Sequence, residues 1–184
     1  MIARCLLIAV AAALLSLPAP LQAQVDSGPA AGGDAKPVKA IGLVKDEKEK
    51  EVDFVAQRAG KPTIFLFIQA DTFDRPVARF LRTIDQELAK DREDVRIVAV
   101  WLTDDVDKSK TYVPKARESL KLAQTSYAVF PGEKSGPDGW AINGDAHVTA
   151  VVVEKGKISA SFGFRSVNET DAPAVIKKLE PKKG

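Results

Sequence analysis

The side chains best suited to covalent or acid–base chemistry are scarce in this chain, which has one cysteine, Cys5, and one histidine, His147. A thiolate nucleophile, a disulfide or a cysteine-bound metal needs sulfur in the folded part of the protein. Cys5 instead lies in a segment that reads as a removable leader. A metal held by the single imidazole would depend on carboxylates such as Asp104, Asp105 and Asp107. The run that carries them, "TDDVDKS", lacks the glycine and the distal glutamate of a calcium loop and reads as a polar turn between a strand and a helix. No glycine-rich phosphate loop, G-x-S-x-G elbow or pair of catalytic carboxylates is present, so no cofactor and no metal are expected. The stretch that asks for an explanation is "FIQADTFDRPVARFL", residues 67–81, in which an apolar strand passes through a short polar turn into an amphipathic helix.

Around these residues the chain divides by composition. In residues 1–23, Arg4 precedes the apolar run "CLLIAVAAALLSL", Pro18 and Pro20 break it, and Ala23 offers a small residue before a cut. This is the pattern of a secretory signal peptide, and the run is short for a membrane anchor. Cys5 precedes the apolar run, the wrong side for lipid attachment. Export removes Arg4 and no acid, leaving the chain near neutrality, which gives no electrostatic reason to expect nucleic acid as a partner. Residues 24–38, rich in Gly, Ala and Pro, read as a flexible leader. Residues 39–180 form one domain large enough to hold its own core, and 181–184 are a lysine-containing tail.

The elements follow from periodicity. "KDEKEKEVDFVAQRAG" places Val52, Val55, Ala56 and Ala59 at helical spacing, with Gly60 as a stop. "TIFLFI" and "VRIVAVWL" are apolar on both faces, as buried central strands are. Between them Phe73, Val77, Phe80, Leu81, Ile84 and Leu88 recur along one helical face. A further helix is expected over Val113–Ala123 with Pro114 in its first turn, then a short strand "SYAVF" and the loop "PGEKSGPDG". "HVTAVVV" and "KISASFGF" form a hairpin around "EKGK", and a last helix opens at Asp171 and Pro173. Two strands joined through a helix favour a parallel crossover, to which the hairpin adds antiparallel strands.

This order of elements, with "GKPTIFLFI", "RPVARFL" and "GPDGWAINGDAHVTAVVVEKGKI", resembles the thioredoxin-like superfamily, and in particular secreted bacterial thioredoxin-like proteins without the CxxC motif. The resemblance covers residues 40–180 and implies an α/β thioredoxin-like fold, a central mixed sheet with flanking helices. In active members a cysteine sits at the helix N-terminus, where free N–H groups and the helix dipole hold its thiolate. Matching Pro76 to the proline of C-x-P-C puts Asp74 and Val77 at the cysteine positions; counting from the strand puts Thr72 and Arg75 there. Neither register supplies sulfur. Asp74 is a good N-cap for the same N–H groups. The family's cis-proline corresponds to His147, where a trans peptide is expected because a non-proline cis bond costs about 3 kcal/mol.

The expected function is therefore that of an exported, redox-inactive binding module, periplasmic or secreted. It would take an unknown protein or peptide of the cell envelope along the former active-site face, set by Thr72, Asp74, Arg75, Ala146, His147 and Val148, with Trp140 nearby. The alternative is a cysteine-independent enzyme using Asp74 and His147 as an acid–base pair. Phe130 and Trp140 flank the long loop, either as partner anchors or as core. Asn168 opens a glycosylation sequon, "NET".

Overall fold

The computed structural model describes residues 24–43 and 50–181. The segment expected to be a signal peptide, with Cys5, the charged residues 44–49 and the end of the lysine tail lie outside the described residues. Among the described residues, eight strands form one mixed sheet. They are β1 (Gln24–Val25), β2 (Lys39–Gly42), β3 (Lys50–Asp53), β4 (Thr63–Gln69), β5 (Arg96–Thr103), β6 (Thr125–Pro131), β7 (Val148–Glu154) and β8 (Lys157–Phe164), in the order β1-β8-β7-β4-β5-β6-β2-β3. Only β4 with β5 and β5 with β6 are parallel. Their connections are the helices α2 (Arg75–Asp91) and α3 (Val106–Leu120), while α1 (Phe54–Arg58) and α4 (Ala172–Ile176) are short.

The apolar runs of β4 and β5 are explained by burial on both faces. Ile64, Leu66 and Ile68 point to the side covered by Val77, Phe80, Leu81, Ile84 and Leu88 of α2, with Val113 of α3. Phe65 and Phe67 point to the other side, where Val38, Phe54 and Trp140 cover them. Fully burying each such side chain contributes about 1.5–3 kcal/mol before the entropy of ordering is set against it. No helix among the described residues is long and apolar enough to cross a membrane. The "EKGK" hairpin forms between β7 and β8, with Lys155 and Gly156 both at positive φ, as a type I′ turn requires.

Four expectations are corrected. The predicted first helix is shorter than its spacing suggests: Lys50–Asp53 pairs with β2 as a strand, and only after Asp53 caps the chain does α1 begin, taking in Val55 and Ala56 but not Val52. Pairing to a neighbouring strand outweighed the helical spacing at Val52. The third helix starts earlier than predicted because Asp105 accepts from the Lys108 N–H at 3.0 Å as its N-cap. Pro114 consequently lies inside α3, on its exposed side.

The segment 24–38 is packed rather than free. It adds β1 to the sheet edge and buries Ser27, whose hydroxyl meets that of Thr149 at 2.6 Å. Backbone bonds from Gly28 to Ala141 and from Gly32 to Ile158 continue the attachment. Few apolar groups are needed because Gly163 lets the backbone of Val25 approach where a Cβ would collide with its carbonyl oxygen. The fourth correction concerns Trp140. Its indole is fully buried, about 5 Å from the rings of Phe65 and Phe67, and donates to the Pro37 carbonyl at 3.4 Å. It is a core side chain with no face for a partner. Phe130 is half-buried against the same cluster.

Candidate functional site

The turn after β4 is built from local chemistry. Residues Ala70–Thr72 form one 3-10 turn, closed by the Thr72 hydroxyl donating to the Gln69 carbonyl at 3.1 Å. Asp74, in extended conformation, then accepts from the Val77 N–H at 3.0 Å and starts α2, with Pro76 in the first turn, where it forfeits no bond. Val77 turns into the core. Phe73 anchors the turn by packing on Trp101 and Tyr112, with ring centroids 5.2 and 6.1 Å apart.

Beside this turn runs the start of β7. The Gln69 N–H donates to the His147 carbonyl at 3.0 Å, continuing the β4–β7 ladder by one step. Every peptide bond among the described residues is trans, that of His147 included. The His147 ring is exposed, whereas Ala146 and Val148 are inside. Thus the turn and His147 share one end of the sheet, and the residues on either side of His147 support it from within.

Two depressions flank the turn. One, about 430 Å³, lies between the N-terminal turn of α2 and α3. It is formed by Phe73, Asp74 and Arg75 with Tyr112, Lys115 and Leu120. The other, about 460 Å³, is polar and lies between the turn and His147. Asp71 and Thr72 form one wall, Lys134 and Gly144 of the long loop another, and His147 with Arg165 the rest. Two ion pairs cross its rim: Lys134 to Asp71 at 2.6 Å and Arg165 to Asp145 at 3.2 Å. The hydrogen bond from Lys134 holds the Asp71 carboxyl below its usual range, against a smaller opposing effect of burial, with His147 a minor further influence. The same bond raises the Lys134 ammonium. At the base lies Gln69, 2% exposed, whose Nε2 donates to the Lys134 carbonyl at 2.8 Å while its Oε1 has no partner among the described residues.

Comparison with known proteins bears on the fold. No protein-family model matches the chain, and no curated protein matches its sequence. Solved structures do. A Chlorobium tepidum protein described as a DsbE thiol:disulfide interchange protein superposes with a TM-score of 0.60 at 15% identity, over 82% of this chain and 95% of that one. A thiol:disulfide interchange protein from Bacteroides sp. gives 0.57 at 20% identity, over 81% and 90%. The exposed lipoprotein thioredoxin of Streptococcus pneumoniae gives 0.54 at 12%, over 78% and 100%. The fold is thioredoxin-like.

Within a thioredoxin-like fold the helix that follows the first central parallel strand here starts on a carboxylate, and Cys5 is the chain's only cysteine. The residues singled out from sequence are distributed as follows. Thr72 and His147 meet in the polar depression; Asp74 and Arg75 lie around the helix start, in the apolar one. Asp74 and His147 therefore line separate depressions, and the acid–base pair of the alternative reading is not assembled in either. The carboxylates that share the depression with His147 are Asp71 and Asp145, engaged by Lys134 and Arg165. Ala146 and Val148 are buried on either side of His147, and Trp140 packs on Phe65 and Phe67 on the far side of the sheet, which narrows the accessible face to Thr72, Asp74, Arg75 and His147. Asp71, Lys134, Asp145, Arg165 and Gln69 escaped sequence reasoning. The signal pointing to Gln69 is a carboxamide ending an otherwise apolar strand. Asp105 of the acidic run is occupied in capping α3.

Proposed function

We propose that this protein is exported and acts as a redox-inactive binding module, taking a protein or peptide of the cell envelope on the face around residues 72–75 and His147. The observation that carries this reading is Asp74. Its carboxylate accepts from the Val77 N–H, occupying the helix start at which a reactive thioredoxin-like protein holds a thiolate. The export part rests on the signal-peptide pattern of residues 1–23. Absence of cysteine after its removal leaves binding, rather than thiol exchange, as the use of the exposed turn. Location in the periplasm or outside the cell follows from the same pattern.

The test is a crosslinked pull-down of the protein from its own envelope and medium, beside a variant with Asp74→Ala, Arg75→Ala and His147→Ala. A partner held by the parent and lost by a folded variant supports the reading. Retention of the partner by the variant places binding on another surface and overturns the assignment to this face.

A further inference from the structure

The polar depression beside the turn has an uneven supply of hydrogen-bonding groups. A guanidinium carries five N–H donors and an ammonium three, yet Arg165 and Lys134 each spend one side-chain bond on a neighbouring carboxylate. Asp145 and Asp71 are engaged by those same bonds. Both cations are more than half exposed, so their remaining donors point to solvent at the rim. The deficit runs the other way at the base. Gln69 is buried there with its amide nitrogen committed to the Lys134 carbonyl and its Oε1 unpartnered. A buried acceptor left without a donor costs about 1–3 kcal/mol; Oε1 is closed off from solvent, so a ligand N–H satisfies it when the loop carrying Lys134 yields.

A group that answers both needs carries carboxylate oxygens for the rim and an N–H a few bonds away for the base. The last residue of a peptide chain has both, as its free carboxylate and its own amide N–H. We infer that the depression bounded by Thr72, Lys134, His147 and Arg165 is a site for the carboxyl end of a peptide, with Arg165 and Lys134 on the carboxylate and Gln69 Oε1 on the terminal N–H. A carboxylate between two cations gains charge-assisted bonds, and a guanidinium can present two parallel N–H groups to it. Asp71 and Asp145 hold the cations in place and, by repulsion, keep the anion on the cationic side. The inference rests on the reading of this face as a peptide-binding surface and names the part of the peptide it takes.

The experiment is a ¹⁵N-resolved NMR titration of the purified protein with tetra-alanine and, separately, with tetra-alanine amide, repeated on Arg165→Gln. Arg165 is exposed, so the variant is expected to fold, which its melting temperature checks; Lys134→Gln serves as a second. The expected result is saturable shifts at the Gly144 and His147 amides and at the Gln69 side-chain amide. The amidated peptide binds at least tenfold more weakly, and Arg165→Gln weakens the free peptide at least fivefold with an unchanged melting temperature. Equal affinity of the two peptides, undiminished binding by the variants, shifts confined to other surfaces, or no shifts overturn the inference. A partner captured through Arg75 and His147 alongside any of those results leaves the binding face standing and removes only the carboxylate assignment.

Discussion

The two depressions beside residues 70–75 are nearly equal in volume and opposite in construction. The apolar one is made by neighbouring helices, with Phe73 wedged between Trp101 and Tyr112. The polar one is made by a turn, a long loop and the end of β8, joined by ion pairs between residues as distant in sequence as Asp71 and Lys134. A helix-built wall is held by burial and resists change in its surroundings. A loop-built wall is held by exposed charge pairs, each worth little, and can adapt to a ligand. For the proposed binding face, the loop-built polar side would adapt to a ligand while the helix-built side, with Asp74 and Arg75 at its edge, holds the turn in place.

The largest effect expected on this contrast comes from Asp85, on the helix-built side. Its buried carboxylate accepts from the Ala123 and Gln124 N–H groups at 2.9 and 2.8 Å and from the Thr125 hydroxyl at 2.8 Å, tying α2 to the chain between α3 and β6. Asp85→Ala strands three donors and is expected to cost about 3 kcal/mol or more in urea denaturation. Gly163→Ala comes next. The new Cβ displaces Val25 and Ser27, and with them the Ser27–Thr149 bond and the Ser27 contact to the Asn143 N–H at 2.9 Å. A loss of about 2 kcal/mol and faster proteolysis near residue 28 are expected, with the loop before His147 loosened.

Legibility divides along the same line. The strands β4 and β5, the face of α2 and the cap at Asp74 could be read from sequence because they depend on neighbours within a few residues. Arg165, Lys134 and Gln69 could not, since their roles arise only when β8, the long loop and β4 converge, and none belongs to a periodic apolar pattern. The leader was misread for a related reason: its attachment uses backbone bonds and close approach at Gly163 rather than large apolar side chains. Trp140 fell to core packing because Phe65 and Phe67, buried on the far side of β4, need a cover that the intervening loop provides.

Smaller effects sharpen the comparison. Asp74→Ala is expected to lower stability by about 1 kcal/mol through loss of the cap, measured by thermal unfolding. Tyr127 lies under the apolar side, and its hydroxyl has no partner among the described residues. Burial, followed by the Asp85 charge, pushes its phenol from 10.0 up to about 12. Because the folded value is raised, this contribution is complete below pH 10 and is lost as pH rises toward 12. Tyr127→Phe is expected to be about 1 kcal/mol more stable at pH 7 and to lack that alkaline component in pH-dependent melts.

The smallest effect belongs to the Lys134–Asp71 latch. With the Asp71 carboxyl lowered, its contribution is present above the ordinary carboxylate value of 3.8 and fades as pH falls below it. Lys134, raised from 10.5, loses its share only above that pH. Amide exchange in residues 132–136 should therefore be flat between these limits and rise, beyond the intrinsic pH dependence, only in stronger acid or base.

The most direct test of the binding face is site-specific photocrosslinking. A photoreactive residue is placed at position 75, at 147, or at 86 on the exposed outer side of α2, in protein produced in its own host. The account predicts one shared crosslinked partner from positions 75 and 147 and none from 86. Equal capture from all three positions, or capture from 86 alone, would contradict it.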